Sequence, residues 1–119
     1  LEEAAVIIPT PQGLRCHVEP DRERVVVRAV GEVDLATVAV LDGPLNELRA
    51  SGFTQIAIDL REVTFMDSTG LQLLVRWRRQ SHAEGFDLQI EVDPDGPVAR
   101  VVELTGLQDV LLSAPVASS

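Results

Sequence analysis

The sequence predicts a single α/β domain, a mixed and mostly parallel β-sheet covered by α-helices. Three observations carry that prediction. From residue 24 onward, short β-branched or alternating apolar runs take turns with segments of helical spacing. That is the pattern of parallel strands joined by right-handed crossovers. The length, 119 residues, suits one domain of about 100–150 residues, whose folding hides roughly two-thirds of the unfolded surface. Finally, 45% of the residues are hydrophobic but only 3% aromatic, so one core can be built, from Val, Leu, Ile and Ala.

Residues 1–13 read as an N-terminal extension outside the core, 14–116 as the domain and 117–119 as a C-terminal tail. Leu14–Glu19 and Arg24–Val30 are expected strands, separated by a turn at Pro20-Asp21-Arg22, with the β-branched run Val25-Val26-Val27 in the second. Gly31 is expected to end it. Across 35–50, Leu35, Val38, Leu41, Leu45 and Leu48 fall near helical spacing. Gly43-Pro44 interrupts that segment, and a proline there removes a donor and clashes with the preceding turn, which predicts a kink or two short helices. Gln55–Leu60, with Ile56-Ala57-Ile58, has the short apolar run of a buried parallel strand. Arg61–Asp67 is read as a loop. Thr69–Ala83 is read as a helix, with Thr69 and Gln72 as a capping box and Gly85 as the stop. Phe86–Val92 alternates as a strand should. After the turn Asp93–Gly96, Pro97 suits a first helical position, and Val98, Val101, Val102 and Leu104 form the inward face of a helix ending near Gly106. Val110–Ser119 is expected to add a short edge strand.

Composition then excludes several functions. The net charge is −9, which repels a phosphate backbone, so no nucleic-acid partner is expected; a basic protein surface is the easier partner. No apolar run approaches the roughly 20 residues of a membrane span, so no direct membrane insertion is expected, and the opening residues lack the basic and apolar blocks of a signal peptide. The missing initiator Met suggests trimming at the front. A lone cysteine, Cys16, rules out an internal disulfide or a multi-Cys zinc site and suits a reducing, cytoplasmic location. Nothing in the sequence calls for a metal or cofactor.

The most informative stretch is Asp59–Leu71. A buried strand ends, the chain crosses its carboxyl end, and a helix begins at the adjacent hydroxyls of Ser68 and Thr69. In open α/β sheets that edge is where ligands and modifications sit, and a helix start favours a phosphate through its free N–H groups and dipole. Spacing alone leaves two roles open, since Asp, Ser and Thr are also the ordinary capping residues. Other constellations are weaker. Asp67-Ser68-Thr69-Gly70 has one residue too many for an aspartic-protease motif, and no G-x-S-x-G elbow or Walker A sequence is present. Cys16 and His17 alternate on a strand and so point to opposite faces. Cys16 is expected to pack as a small hydrophobe, and His82, near a helix C-terminus, to be structural. Arg76, Arg78 and Arg79 around Trp77 read as a solvated helix face with a partly packed Trp, or as a secondary binding patch.

Three motifs, taken together, carry a family resemblance. Val63–Leu71 contains Asp67-Ser68-Thr69-Gly70-Leu71, Gly31-Glu32-Val33-Asp34 precedes it, and Leu104-Thr105-Gly106-Leu107 follows. In order and rough spacing, from about Leu14 to Leu112, they resemble the STAS-domain family of bacterial anti-sigma-factor antagonists. The chain departs from close antagonists at Gln72, where they often carry Gly, and at Gly43-Pro44. The resemblance implies a non-enzymatic switch that binds an anti-sigma factor with serine-kinase activity and so releases a sigma factor. It implies phosphorylation of Ser68, with Thr69 as a candidate second site, and a PP2C-type phosphatase that resets phospho-Ser68. Glu32, Asp34, Asp67, Ser68, Thr69 and Gly70 would form the partner surface. A STAS scaffold or regulatory subunit of a stress-signalling assembly or membrane transporter, without the phospho-switch, is the other function the resemblance implies.

Overall fold

The computed structural model describes residues 13–112. In chain order the elements are β1 (Leu14–Asp21), β2 (Arg24–Val33), α1 (Val38–Ala50), β3 (Gln55–Met66), α2 (Ser68–Glu84), β4 (Asp87–Glu91), α3 (Pro97–Thr105) and α4 (Gln108–Leu111). The sheet order is β1-β2-β3-β4. The β1–β2 hairpin is antiparallel, and the other two pairings are parallel. This is the mixed, mostly parallel α/β sheet that the alternation predicts. All of the expected 1–13 extension but Gly13, the part of the expected 110–119 edge strand beyond residue 112 and the expected 117–119 tail lie outside the described residues.

One face of the sheet carries the core. Val27, Ala29, Ile56, Ile58, Leu60 and Leu88 join Leu41, Leu45, Leu74, Trp77, Val98, Val102 and Leu111 in one cluster of buried apolar side chains. The opposite face is held by ion pairs instead. Arg24 meets Glu91 at 2.9 Å, Arg28 meets Glu19 at 3.2 Å and Glu62 at 3.1 Å, and Arg61 meets Asp59 at 2.9 Å. Asp59 is buried there. Hydrogen bonds from the Arg61 side chain, above all, hold its carboxyl below the usual carboxylate range against the opposing effect of burial.

The hairpin turn falls at Arg22-Glu23, one residue later than the Pro20–Arg22 reading. Asp21 and Arg24 are the last paired residues, bound side chain to side chain at 3.0 Å, and Arg22 adopts φ 62°, the sign a two-residue hairpin loop requires at its first position. Strand β2 does not stop at Gly31 but runs on to Val33. Gly31 sits at φ +122°, and a Cβ there would lie 2.3 Å from the Gly13 carbonyl oxygen. Glycine is needed at that point for both reasons.

Strand β3 is longer than predicted, twelve residues reaching Met66; Arg61–Met66 is strand, not loop. Its register against β2 slips twice, between Arg28 and Val30 and between Gly31 and Glu32. Each slip places one extra residue on β3, which is the geometry of a β-bulge. Bulges break the alternation of two, so Arg61 and Glu62 look like a loop in the sequence although pairing holds them in a strand.

Helix α1 is one continuous element with Pro44 inside it, not two short helices. Leu41 and Leu45, four residues apart and wholly buried, fix one face to the core, and that packing outweighs the local cost of the proline. The helix starts at Val38, so Leu35 is left in the preceding turn, 79% exposed. In α2, Trp77 is fully buried, not partly packed. Its indole N–H donates to Asp42 at 2.8 Å, and Arg76 donates to the same oxygen at 2.9 Å. Burial pushes the Asp42 carboxyl up, but those two donors outweigh it and hold it below the usual range. Arg78 turns inward to the carbonyls of Leu88 at 2.8 Å and Leu111 at 3.1 Å, and burial lowers its pKa. The arginine cluster therefore divides, two members tying helices together and Arg79 staying exposed.

Helix α3 begins at Pro97 and buries Val98 and Val102 as expected, with Ala99 buried beside them and Val101 half-buried, but Leu104 points outward, 81% exposed. The segment after Gly106 forms helix α4 instead of starting a strand, because Leu111 is wholly buried against the core. Cys16 packs half-buried against that core, while His17 is exposed on the other side of β1. Burial pushes the Cys16 thiol up from 9.0 to about 11, so below pH 9 the folded chain holds about 100-fold less thiolate than the unfolded one. Iodoacetamide at pH 8 should therefore label Cys16 at least about tenfold more slowly in buffer than in denaturant, the loss of thiolate being partly offset by the greater nucleophilicity of a less acidic thiol. Equal labelling rates would show the thiol to be exposed.

Candidate functional site

Parallel pairing brings the carboxyl ends of β2 and β3 out at the same edge, and the site is built there from two loops. In the first, Asp34 organises the turn into α1. Its Oδ1 accepts the backbone N–H groups of Ala36 at 3.0 Å and Thr37 at 3.1 Å. Its own N–H donates to Thr37 Oγ1 at 3.0 Å, and that hydroxyl donates to the Glu32 carbonyl at 2.7 Å. In the second, Asp67 caps α2. Its backbone is extended and its Oδ1 accepts the Thr69 N–H at 2.9 Å. The loops are joined where the Asp67 N–H donates to the Val33 carbonyl at 3.2 Å.

Capping therefore belongs to Asp67, not to Thr69 with Gln72. Asp67 lies two residues earlier than Thr69, where the chain is still extended and its carboxylate can reach forward over the first turn. This shift leaves Ser68 as the first helical residue, exposed to solvent. Its hydroxyl makes no hydrogen bond to any other described residue. Thr69 is half-buried, as are Asp67, Asp34 and Glu32. Glu32 stands in register with Phe65 at the end of the sheet. Five of the six sequence-predicted residues thus expose surface around one edge.

Gly70 is the exception. It is buried, and a Cβ on it would lie 2.7 Å from Met66 Cγ and 2.8 Å from Val33 Cγ1. It lets the first turn of α2 pack tightly over the ends of both strands, so it shapes the site from beneath. Val33 is β-branched and stiff, and Met66 Cγ is not a free chain end. Gly70→Val should therefore destabilise the fold by about 3 kcal/mol, the upper range for overpacking. A urea midpoint unchanged from wild type would contradict this close approach.

Sequence reasoning missed three contributors. Thr37 holds the first loop together, and the Asp34-x-x-Thr37 spacing was its signal, since Asp and Thr are the residues that satisfy a nearby backbone. Phe65 and Leu35 flank the edge as exposed apolar side chains, 46% and 79% accessible. Neither had a local signal, because exposure at the end of a sheet depends on what fails to cover it.

Residues 16–113 match a family model described as Mlab, STAS domain. An anti-sigma-B factor antagonist of Staphylococcus aureus is 34% identical over 85 residues, which cover 71% of this chain and 78% of that protein. Its counterpart in Staphylococcus epidermidis is 32% identical over the same length. Among solved structures, an anti-sigma factor antagonist from Mycobacterium paratuberculosis shares the fold, with 24% identity, a TM-score of 0.72 and 92% of each chain covered. The anti-sigma factor antagonist SpoIIAA, solved in its unphosphorylated form, is 26% identical with a TM-score of 0.65, covering 83% of this chain and 87% of its own. The shared fold, the family match across most of the domain and the Staphylococcus relatives agree: this chain belongs to the STAS-domain family.

Proposed function

We propose that this chain is an anti-sigma-factor antagonist gated by phosphorylation of Ser68. Unmodified, it binds an anti-sigma factor that is also a serine kinase, and a sigma factor is released. Once that kinase phosphorylates Ser68, the complex comes apart, and a PP2C-type phosphatase restores the binding form. The observation that carries this reading is the Ser68 hydroxyl, exposed and uncommitted at the first position of a 17-residue helix whose cap is supplied by its neighbour. The relatives named as anti-sigma factor antagonists support the coarser role, and SpoIIAA, studied in an unphosphorylated form, supports the finer one.

The chemistry asked of this chain is small. Ser68 Oγ accepts the γ-phosphoryl group of ATP, its proton passes to a base of the kinase, and ADP leaves. ATP and Mg²⁺ belong to the kinase, and this protein acts as a binding protein in the cytoplasm. The phosphate would carry about −1.5 to −2 charges. It would sit at the favourable end of the α2 dipole but beside the carboxylates of Asp67 and Asp34. The domain therefore stays folded while the surface offered to the partner changes. Glu32, Asp34 and Asp67 shape or contact the partner. Thr69, half-buried and with its N–H held by Asp67, is the less accessible candidate for a second phosphate.

The test is a pull-down of the chain's partner with and without ATP, with phosphate mapped by mass spectrometry on the same sample. A serine-kinase partner, released when ATP places one phosphate on Ser68, is the expected outcome. A phosphate elsewhere, or none, would overturn the switch. A transporter or multimeric scaffold in place of the kinase would favour the regulatory-subunit function instead.

A further inference from the structure

Beside the Ser68 edge, Leu71, Gln72, Val75, Arg76 and Arg79 of α2 form, with Leu107 from the turn between α3 and α4, a groove of about 440 Å³. Its floor is apolar, and no carboxylate of the described residues lines it. At about 100° per residue, Ser68, Val75 and Arg79 fall within about 40° of one another on α2. With roughly 1.5 Å of rise per residue, that stripe runs about 16 Å from Ser68 to Arg79. The switch residue and the groove therefore occupy one continuous face of one helix.

Charge divides this face. Its Ser68 end is bordered by Glu32, Asp34 and Asp67, whereas its far end carries the guanidinium groups of Arg76 and the exposed Arg79. On a chain of net charge −9, a groove lined by apolar side chains, the neutral Gln72, the Asp42-paired Arg76 and the exposed Arg79 selects the opposite of what the acidic rest of the surface selects. Its position between helices also restricts the shape of an occupant. Among the described residues no unpaired strand edge borders the groove, so an added strand has no hydrogen-bonding template, while a helix can lay an apolar stripe into it.

We propose that this groove receives an amphipathic helix of the same partner that covers Ser68, with an apolar face toward Leu71, Val75 and Leu107 and an acidic edge toward Arg79. The proposal rests on the antagonist function argued above and gives that partner a docking direction. Basic groups meet the Asp34 and Asp67 end, and acidic groups meet the Arg79 end. The groove holds the partner in register, and the Ser68 hydroxyl lies at the end of the contact where a phosphate interrupts it.

Binding of the purified cognate serine-kinase anti-sigma factor, measured by calorimetry without ATP, tests this. Arg79→Glu should weaken binding about tenfold, as reversal of a steering and contacting charge does, whereas Arg79→Lys should stay within about threefold. Arg100→Glu makes the same charge change on the exposed side of α3 and should leave affinity unaltered. Ser68→Asp reports on the switch separately. If Ser68→Asp weakens binding and Arg79→Glu does not, the groove proposal fails while the switch stands. Equal losses from Arg79→Glu and Arg100→Glu would reduce the effect to net charge and overturn the groove. So would sedimentation showing that the chain alone dimerises through the groove, with the dimer abolished by Arg79→Glu, since the occupant would then be a second copy. Absence of wild-type binding would overturn both proposals.

Discussion

Phosphorylation of Ser68 is expected to lower the affinity of this chain for its anti-sigma partner about 100-fold or more. The side chain is exposed at the first turn of α2, at the junction of the two loops joined through Asp67 and Val33. A surface fitted to a hydroxyl there must accommodate a group with about two negative charges and three further oxygens. Burying that charge without a partner costs several kcal/mol, and about 1.4 kcal/mol is a tenfold change. Ser68→Ala should bind within about threefold of wild type, because an exposed hydroxyl without a hydrogen bond contributes little, but should resist release by ATP. Ser68→Asp should fall between, a carboxylate having less charge and a different shape. Binding is to be measured beside far-UV circular dichroism and a thermal melt on each sample. Retained fold with lost affinity is the expected pair of results. Lost affinity that follows unfolding would place the effect on stability, and phospho-Ser68 that binds as tightly as the unmodified chain would refute the switch.

Replacing Trp77 should produce the largest loss of stability. Trp77 is fully buried and meets Phe86 edge-on at 6.4 Å between ring centres. Trp77→Ala is expected to cost about 3–5 kcal/mol, a large part of the roughly 5–15 kcal/mol that holds a domain together. Two effects add: an unfilled volume between α1, α2 and the sheet, and loss of the indole donor to Asp42. Trp77→Phe separates them. It retains most of the volume but removes the hydrogen bond, and should cost about 1.5–3 kcal/mol, the range for a bond to a charged group. Urea unfolding followed by circular dichroism measures both. Equal losses for the two variants would mean that packing at this site matters less than the bond to Asp42.

Much of the architecture was legible in the chain itself. The apolar runs at 25–27 and 56–58 are strands, the helical spacing of 69–83 is α2, and Gly85, Pro97 and Gly106 mark boundaries where they were expected. Each of these signals is local, set by backbone freedom or by the period of a single element. The site was legible for a related reason. A strand end followed by Asp67-Ser68-Thr69-Gly70 has few conformations open to it, and the family resemblance points to Ser68 as the hydroxyl proposed for modification.

Where the reading failed, the deciding contact came from far along the chain. Arg61–Met66 is strand because β2 pairs with it through two bulges, and no property of those six residues contains that partner. Pro44 is tolerated because Leu41 and Leu45 are held by a core assembled from every other element. Trp77 is buried because Asp42, 35 residues earlier in the chain, receives its donor. The cap of α2 is Asp67 and not Thr69, because the Asp67 N–H is anchored to Val33, which fixes where extended chain gives way to helix. The order of elements, the single core and a serine at the sheet edge all follow from local signals along the chain. That Ser68 is exposed and makes no hydrogen bond among the described residues, while Asp67 and Thr69 are engaged, comes from the tertiary fold, because exposure and hydrogen bonding belong to residues brought together and not to any one segment.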